Sequence, residues 1–307
     1  MPRRQPFTAL CRQAAALARP DVVDLHVHTS ASDGDYTASQ IVAFAAQARL
    51  KAVAITDHDT TAGVALARAA CRENGYGIEI VPGVEITTHQ GNRDYHLLAY
   101  FTEEDAAFQG MLEHLQSCRR TRFQTYLDRL AGQGRAIPTP AVDAVRARSP
   151  SLGRRHLADL LMATGHVRSR HDAFRRFLIP LAAHVPKLRE VAISEVIARV
   201  HAAGGVTSLA HPSAEMTFDE LVQLRDLGLD AVEVAFPAAT YTRTLELRRW
   251  AGELGLGSSG GSDCHGPDSR VGSRTVSIDD LSRLRRSAGL TRCTSRADGT
   301  LSARVRG

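Results

Sequence analysis

Histidine and carboxylate residues recur at the ends of short apolar runs along this chain, from residue 26 to residue 265. Val23-Asp24-Leu25-His26-Val27-His28 alternates apolar and polar residues. A strand here places Asp24, His26 and His28 on one face and Val23, Leu25 and Val27 on the other. Imidazoles two residues apart on one face stand about 7 Å apart, near enough for one ion to bridge them. Taken alone, His-x-His equally describes two surface histidines, but the pattern recurs. Lys51–Asp57 reads as a buried strand leading into Thr56-Asp57-His58-Asp59, Glu85 follows Pro82-Gly83-Val84, and His96 begins a further run. Ala210-His211-Pro212 ends another, and Ser262-Asp263-Cys264-His265 ends the last. Ligand types thus gather at strand ends, where parallel α/β folds place their sites, a bias that scattered core histidines would not show.

Nine groups belong to this set: His26, His28, Asp33, His58, Glu85, His96, His211, Asp263 and His265. Imidazole and carboxylate without thiolate suit zinc, manganese or iron. Nine donors exceed one tetrahedral site and suffice for two or three divalent ions bridged by a carboxylate. The five cysteines, Cys11, Cys71, Cys118, Cys264 and Cys293, are odd in number and dispersed, with no Cys-x-x-Cys. That excludes a disulfide framework and a structural zinc knuckle and implies reduced thiols in a cytoplasmic protein. No apolar run approaches the roughly 20 residues of a membrane span, so no membrane partner is expected.

Between the ligand blocks, apolar runs alternate with helical patterns. Thr37 and Gln40 have capping-box spacing ahead of a helix running to about Arg49, and Thr217 with Glu220 opens a second that Gly228 closes. Further strands are expected at Ile78–Val81, His96–Tyr100, Val206–Ala210, Asp230–Val234 and Gly257–Gly260, and a helix from Ser194 to Gly204-Gly205. This α/β alternation predicts a parallel sheet covered by helices, with open sheet and closed barrel not separable by pattern. Residues 106–190 break it and read as a helical insertion between the two halves of the body, 21–105 and 191–280. Residues 1–20 form a basic extension, not a signal peptide, and 281–307 a basic tail.

Charge follows the same division. The insertion holds 15 basic and 6 acidic residues, whereas the two body segments together hold 12 basic and 26 acidic. One part favours anions and the other cations. From Phe108 to Leu130, Phe108, Leu112, Leu115, Phe123 and Leu130 form one helical stripe; Arg119 falls inside it and Arg122 at its margin. A solvated face does not account for Arg119. Either a buried carboxylate pairs it or it projects into a cleft, and the cleft is the expectation carried forward. Gly153-Arg154-Arg155-His156 precedes an apolar helix, a position whose donors suit a phosphate.

The ordered blocks His26-x-His28, Thr56-Asp57-His58-Asp59, Pro82-Gly83-Val84-Glu85, Ala210-His211-Pro212 and Gly261-Ser262-Asp263-Cys264-His265 resemble the five-block pattern of the PHP (polymerase and histidinol phosphatase) superfamily. Within it, the chain looks most like the TrpH-like phosphoesterases. The resemblance spans residues 21–280 and implies a distorted (β/α)7 barrel with a metal cluster at its C-terminal mouth. It implies that His26, His28, Glu85 and Asp263 hold one ion, that Glu85, His96 and His211 hold a second, and that Asp33, His58 and His265 hold a third. Asp57 and Asp59 then either orient a ligating imidazole or cap a turn. Arg154, His156 and Lys187 carry over as phosphate contacts, with Arg155 where the subgroup has proline. The implied reaction is hydrolysis of a nucleotide phosphate ester. Its substrate is the 3′-phosphate of nucleoside 3′,5′-bisphosphates or a short 5′-phosphorylated RNA, with Glu85, His211 and Asp263 at the chemistry. A histidinol-phosphate type phosphatase and a nucleic-acid-binding module using the basic tails are the alternatives. No protein partner is identifiable.

Overall fold

The computed structural model describes residues 21–102 and 105–290, leaving the basic extension and most of the basic tail outside the described residues. Strands β1 (Val22–Val27), β2 (Ala52–Ile55), β3 (Glu79–Gln90), β4 (Arg93–Tyr100), β5 (Val206–Leu209), β6 (Ala231–Ala235), β7 (Gly257–Gly260) and β8 (Val276–Ser277) form one sheet. Its order is β7-β6-β5-β4-β3-β2-β1-β8. The sheet curls until the residues after β7 reach β1: Asp263 N–H donates to His26 O at 2.8 Å and His28 N–H to Cys264 O at 3.0 Å. The result is a nearly closed barrel of eight strands. Gly261 permits this seam, because a Cβ there would stand 2.3 Å from the His26 nitrogen.

The sheet is not all parallel, contrary to the alternation. β3–β4 and β4–β5 pair antiparallel, as does β8 with β1. The cause is a two-residue turn, Gly91-Asn92, with Gln90 opposite Arg93 and Gly91 at φ 54°. A glycine in that region makes a tight hairpin accessible. The two short strands expected at Ile78–Val81 and His96–Tyr100 are therefore one hairpin of 12 and 8 residues.

Helices α1 (Ala38–Gln47) and α2 (Ala62–Glu73) cover the first half of the barrel. A helical segment follows: α3 (Ala106–Gly132), α4 (Thr139–Arg148), α5 (Arg154–Ala163), α6 (Arg170–Ala173) and α7 (Ile179–Ala182), with a π-helical turn at Phe174–Leu178. Then come α8 (Ile193–Ala202), α9 (Phe218–Asp226), α10 (Tyr241–Leu254) and α11 (Ile278–Ser287). Both capping boxes form: Thr37 with Gln40 on α1 and Thr217 with Glu220 on α9.

Helix α3, about 40 Å long at 1.5 Å per residue, belongs to two cores. Phe108, Met111, Leu112 and Leu115 pack into the barrel core, while Phe123, Tyr126, Leu127 and Leu130 pack into a separate core among the inserted helices. Arg119 lies between them. The tail boundary at 281 is corrected by α11, where Leu281 and Leu284 are fully buried against the barrel and Ser277 with Asp280 caps the helix. Among the described residues no helix is long and apolar enough to cross a membrane.

Candidate metal centre

All nine candidate ligands meet at one end of the barrel. Alternation along β1 brings the side chains of His26 and His28 to one cluster, both fully buried. In the hairpin, Thr87 opposes His96, so Glu85 and His96 are diagonal neighbours on one face. These two stand inside strands, not at strand ends. His58 follows β2, His211 follows β5, Asp263 and His265 follow β7, and Asp33 lies in the loop after β1.

Glu85 is the hub. Its Oε2 lies 3.3 Å from His26 Nε2, 3.2 Å from His28 Nε2 and 3.2 Å from His58 Nδ1. Its Oε1 lies 2.7 Å from His96 Nδ1 and 2.9 Å from His211 Nε2. Asp263 Oδ1 stands 3.4 Å from His26 Nε2 and 3.2 Å from His28 Nε2, and those two nitrogens are 3.1 Å apart. Ligands about 2.0–2.2 Å from a tetrahedral ion are separated by about 3.3–3.6 Å. Five of the six edges of such a tetrahedron are thus in place, at 3.1 to 3.4 Å. Asp33 Oδ1, 3.4 Å from His265 Nε2, forms a further group with His28 and His58.

Unmet hydrogen-bonding capacity supports the same reading. His28 Nδ1, Asp33 Oδ1, His58 Nδ1, His96 Nδ1 and Asp263 Oδ1 are buried without a hydrogen-bond partner. Such atoms are rare in native interiors unless something else satisfies them. Divalent cations fit this donor set.

Burial disfavours charge throughout the cluster, and neighbouring charges override it. Glu233, Asp263 and Glu85 hold the His26 imidazolium well above its usual pKa, and Asp263 and Glu85 push His28 up to about 10. The imidazoles in turn keep Glu85, Asp33 and Asp263 ionised well below the usual carboxylate range. His58 moves the other way, lowered by burial and by the charges of Arg119 and His28 despite Glu85 and Asp33. Asp59, His211 and Asp263 adopt left-handed backbone, φ 49°, 28° and 47°, a strain that concentrates at functional sites.

Glu233 was not read from the sequence. Fully buried on β6, it places Oε1 3.1 Å from His26 Nδ1 and accepts the His211 N–H on Oε2 at 2.6 Å. One carboxylate thereby fixes a ring and a backbone that both carry site ligands. The available signal was an acid inside the apolar run Ala231–Ala235. Replacing Glu233 with Gln is expected to weaken metal affinity about 10- to 100-fold with the fold retained. Unaltered affinity in a metal titration would show that it positions nothing.

Asp24 is a brace. It accepts the Ser262 N–H at 2.9 Å and the Gly272 N–H at 2.8 Å, and burial raises its pKa to about 6. Neither Asp57 nor Asp59 hydrogen-bonds a site imidazole. Asp57 accepts the Thr29 N–H at 2.7 Å and the Ser32 hydroxyl at 2.6 Å, ordering the loop after β1. Asp59 pairs with Arg119 and accepts the Thr87 N–H at 2.7 Å.

The cluster opens on a cavity of about 440 Å³. Asp33, His58 and His96 line it together with Asp94 and five cations, Arg119, Arg122, Arg154, Arg155 and Lys187. Arg119 has both fates foreseen for it, a buried carboxylate partner and a place in the wall, with Nη2 donating to Thr87 Oγ1 at 2.6 Å. Lys187 pairs with Asp94 at 3.0 Å. Arg155 donates to Asp33 O at 3.1 Å and His265 O at 3.3 Å, with Asp35 3.6 Å away, so it ties α5 to two loops of the centre. Arg122 and Arg154 have no carboxylate partner among the described residues; Arg122 donates to Pro186 O at 2.9 Å and Arg154 lies 5.9 Å from the Phe174 ring. His156 departs from its expected role. It is buried, takes the Gly153 N–H on Nδ1 at 3.0 Å, bonds the Ser32 backbone, and does not line the cavity.

The family model described as PHP domain matches residues 24–179. The chain is similar to the 5′-3′ exoribonuclease Rnm of Escherichia coli strain K12, 34% identical over 256 residues, covering 80% of this chain and 86% of that one. It is 28% identical over 257 residues to the 3′,5′-nucleoside bisphosphate phosphatase of Chromobacterium violaceum, covering 80% and 87% respectively. Among solved structures, a chain from Bifidobacterium adolescentis described as a metal-dependent phosphoesterase superposes with a TM-score of 0.80 at 29% identity. The match covers 89% of this chain and 98% of that one.

Proposed function

The chain belongs to the PHP domain family and is a phosphoesterase; from that premise we propose that it acts on nucleotides phosphorylated at both ends of the reacting unit. Its substrates are nucleoside 3′,5′-bisphosphates, losing the 3′-phosphate, and short 5′-phosphorylated oligoribonucleotides. The observation that carries this reading is the cavity, which is lined both by ligand-type residues and by five cations, two of them, Arg122 and Arg154, without a carboxylate partner among the described residues. The metal cluster needs only one phosphate, and the cations answer a second.

His26, His28, Glu85 and Asp263 would hold one ion, Glu85, His96 and His211 a second, and Asp33, His58 and His265 a third. Manganese, zinc or iron held there supplies Lewis acidity toward the scissile phosphoryl oxygens and a nucleophilic water at neutral pH. The chain's own residues do the rest. Arg122 and Arg154 bind the second phosphate, and Arg119, braced by Asp59, contributes a fixed positive charge beside them. His211 is about one-third exposed and lines two further cavities, neither of them lined by Arg119, Arg122, Arg154, Arg155 or Lys187; in this reading it faces the leaving alcohol. A singly phosphorylated substrate carrying a cationic amine, such as histidinol phosphate, fits this wall poorly.

The test is phosphate release by the manganese-supplemented protein from adenosine 3′,5′-bisphosphate, with AMP, histidinol phosphate and a 5′-phosphorylated RNA trimer in parallel. The expected result is release from the bisphosphate yielding 5′-AMP, shortening of the trimer, and little turnover of the two monophosphates. Preference for histidinol phosphate or AMP would replace this reading with that of a monoester phosphatase.

A further inference from the structure

Outside the barrel mouth, the described residues bring one more set of ligand types together. His114 and Cys118 on α3 and Glu190, from the stretch before α8, each offer a ligand atom within 4.8 Å of the others. Residues four apart on a helix are neighbours on one face. His114 Nε2 and Cys118 Sγ stand 3.7 Å apart. Zinc bonds of about 2.05 Å to nitrogen and about 2.3 Å to sulfur, opened to the tetrahedral angle, separate those two atoms by about 3.6 Å. Beyond this contact, neither the His114 ring nor the Glu190 carboxylate has an ion pair or hydrogen bond among the described residues, and the exposed Glu190 side chain is free to swing onto an ion.

We propose that His114, Cys118 and Glu190 form a second metal site, independent of the barrel centre, that takes a borderline-soft divalent cation such as zinc with water as fourth ligand. Binding deprotonates the Cys118 thiol, and the proton leaves to solvent. Burial and the Glu190 charge raise the pKa of that thiol, so without a cation it stays protonated. The barrel centre offers only nitrogen and oxygen donors, so thiolate separates the two sites chemically, and manganese is not expected at the new one.

The position gives the site a consequence. Helix α3 carries Arg119 and Arg122, and the stretch ending at Glu190 carries Lys187 and Leu188, all four of which line the basic cavity. An ion held by His114, Cys118 and Glu190 clips these two walls together and fixes the spacing of their cations.

Cobalt(II) titrated into the full chain provides the test, because a cysteine thiolate on cobalt produces a near-ultraviolet charge-transfer band that nitrogen and oxygen ligands do not. The wild-type protein is expected to show the band. C118S should lack it while keeping its circular dichroism and its cobalt at the barrel centre, and H114A should need at least tenfold more cobalt to reach it. C264S serves as control, since Cys264 adjoins Asp263, and should retain the band. With zinc, C118S should bind one ion fewer per chain. Absence of the band in wild-type protein, its persistence in C118S, or its loss in C264S would overturn the proposal.

Discussion

Replacing Glu85 with Gln is expected to remove metal and turnover together, lowering kcat by about 10³-fold or more. Glu85 is almost completely buried, and its two oxygens face five imidazoles, three on Oε2 and two on Oε1. An amide of the same shape carries no charge and turns an NH2 toward one of those two sets. Whichever way it flips, ions held there would lose the anionic bridge, and one of them would meet donor hydrogens instead. No other carboxylate among the described residues occupies this bridging position: Asp263 reaches His26, His28 and His265, and Asp33 reaches His28 and His265. The measurements are metal content per chain, circular dichroism and phosphate release at saturating manganese. Full occupancy with unchanged turnover would sink the bridging role and the hydrolytic scheme with it.

The residues that made this centre legible are those whose chemistry is expensive to bury without a purpose. His26 and His28 betrayed a shared face by strand period alone, and the later blocks repeated the signal. What stayed hidden depended on partners far away in sequence. The turn at Gly91-Asn92 is a two-residue hairpin signal, yet the strand–helix rhythm around it favoured parallel pairing. Only that hairpin explains why Glu85 and His96 lie inside strands. Glu233 looked like an acid that interrupts an apolar strand, and its meaning appears when His26 Nδ1 arrives from β1. For His156 the motif resemblance pointed to phosphate, but a ring whose Nδ1 accepts the Gly153 N–H serves its own helix start.

The opposed charges of body and insertion were also only half readable. Several insertion cations are neutralised by body acids across the junction: Arg119 by Asp59, Arg170 by Asp35, and Lys187 and Arg189 by Asp94. Much of the charge contrast is therefore used to seat the helices on the barrel. Among the described residues, what remains in the cavity wall without a carboxylate partner is Arg122 and Arg154. These two, and not the whole insertion, are the candidates for substrate charge.

Removing Arg154 as Arg154→Ala is expected to raise KM for adenosine 3′,5′-bisphosphate about tenfold, the worth of one exposed charge-assisted contact, and to leave KM for a simple aryl phosphate unchanged. Arg119→Ala is expected to behave differently. It strips a buried Asp59 of its partner, and breaking a buried pair from one side costs about 3–5 kcal/mol of stability. Because Asp59 also takes the Thr87 N–H, and Thr87 opposes His96 across the hairpin, that loss should spread to the metal centre. Arg119→Ala should therefore impair both substrates and lower the denaturation midpoint, and pairing it with Asp59→Asn should recover part of the stability. Denaturant melts with KM for the two substrates in each variant decide the matter. Equal effects of Arg154→Ala on both substrates would remove the second phosphate from the reading, and an undiminished midpoint in Arg119→Ala would deny the buried pair its structural role.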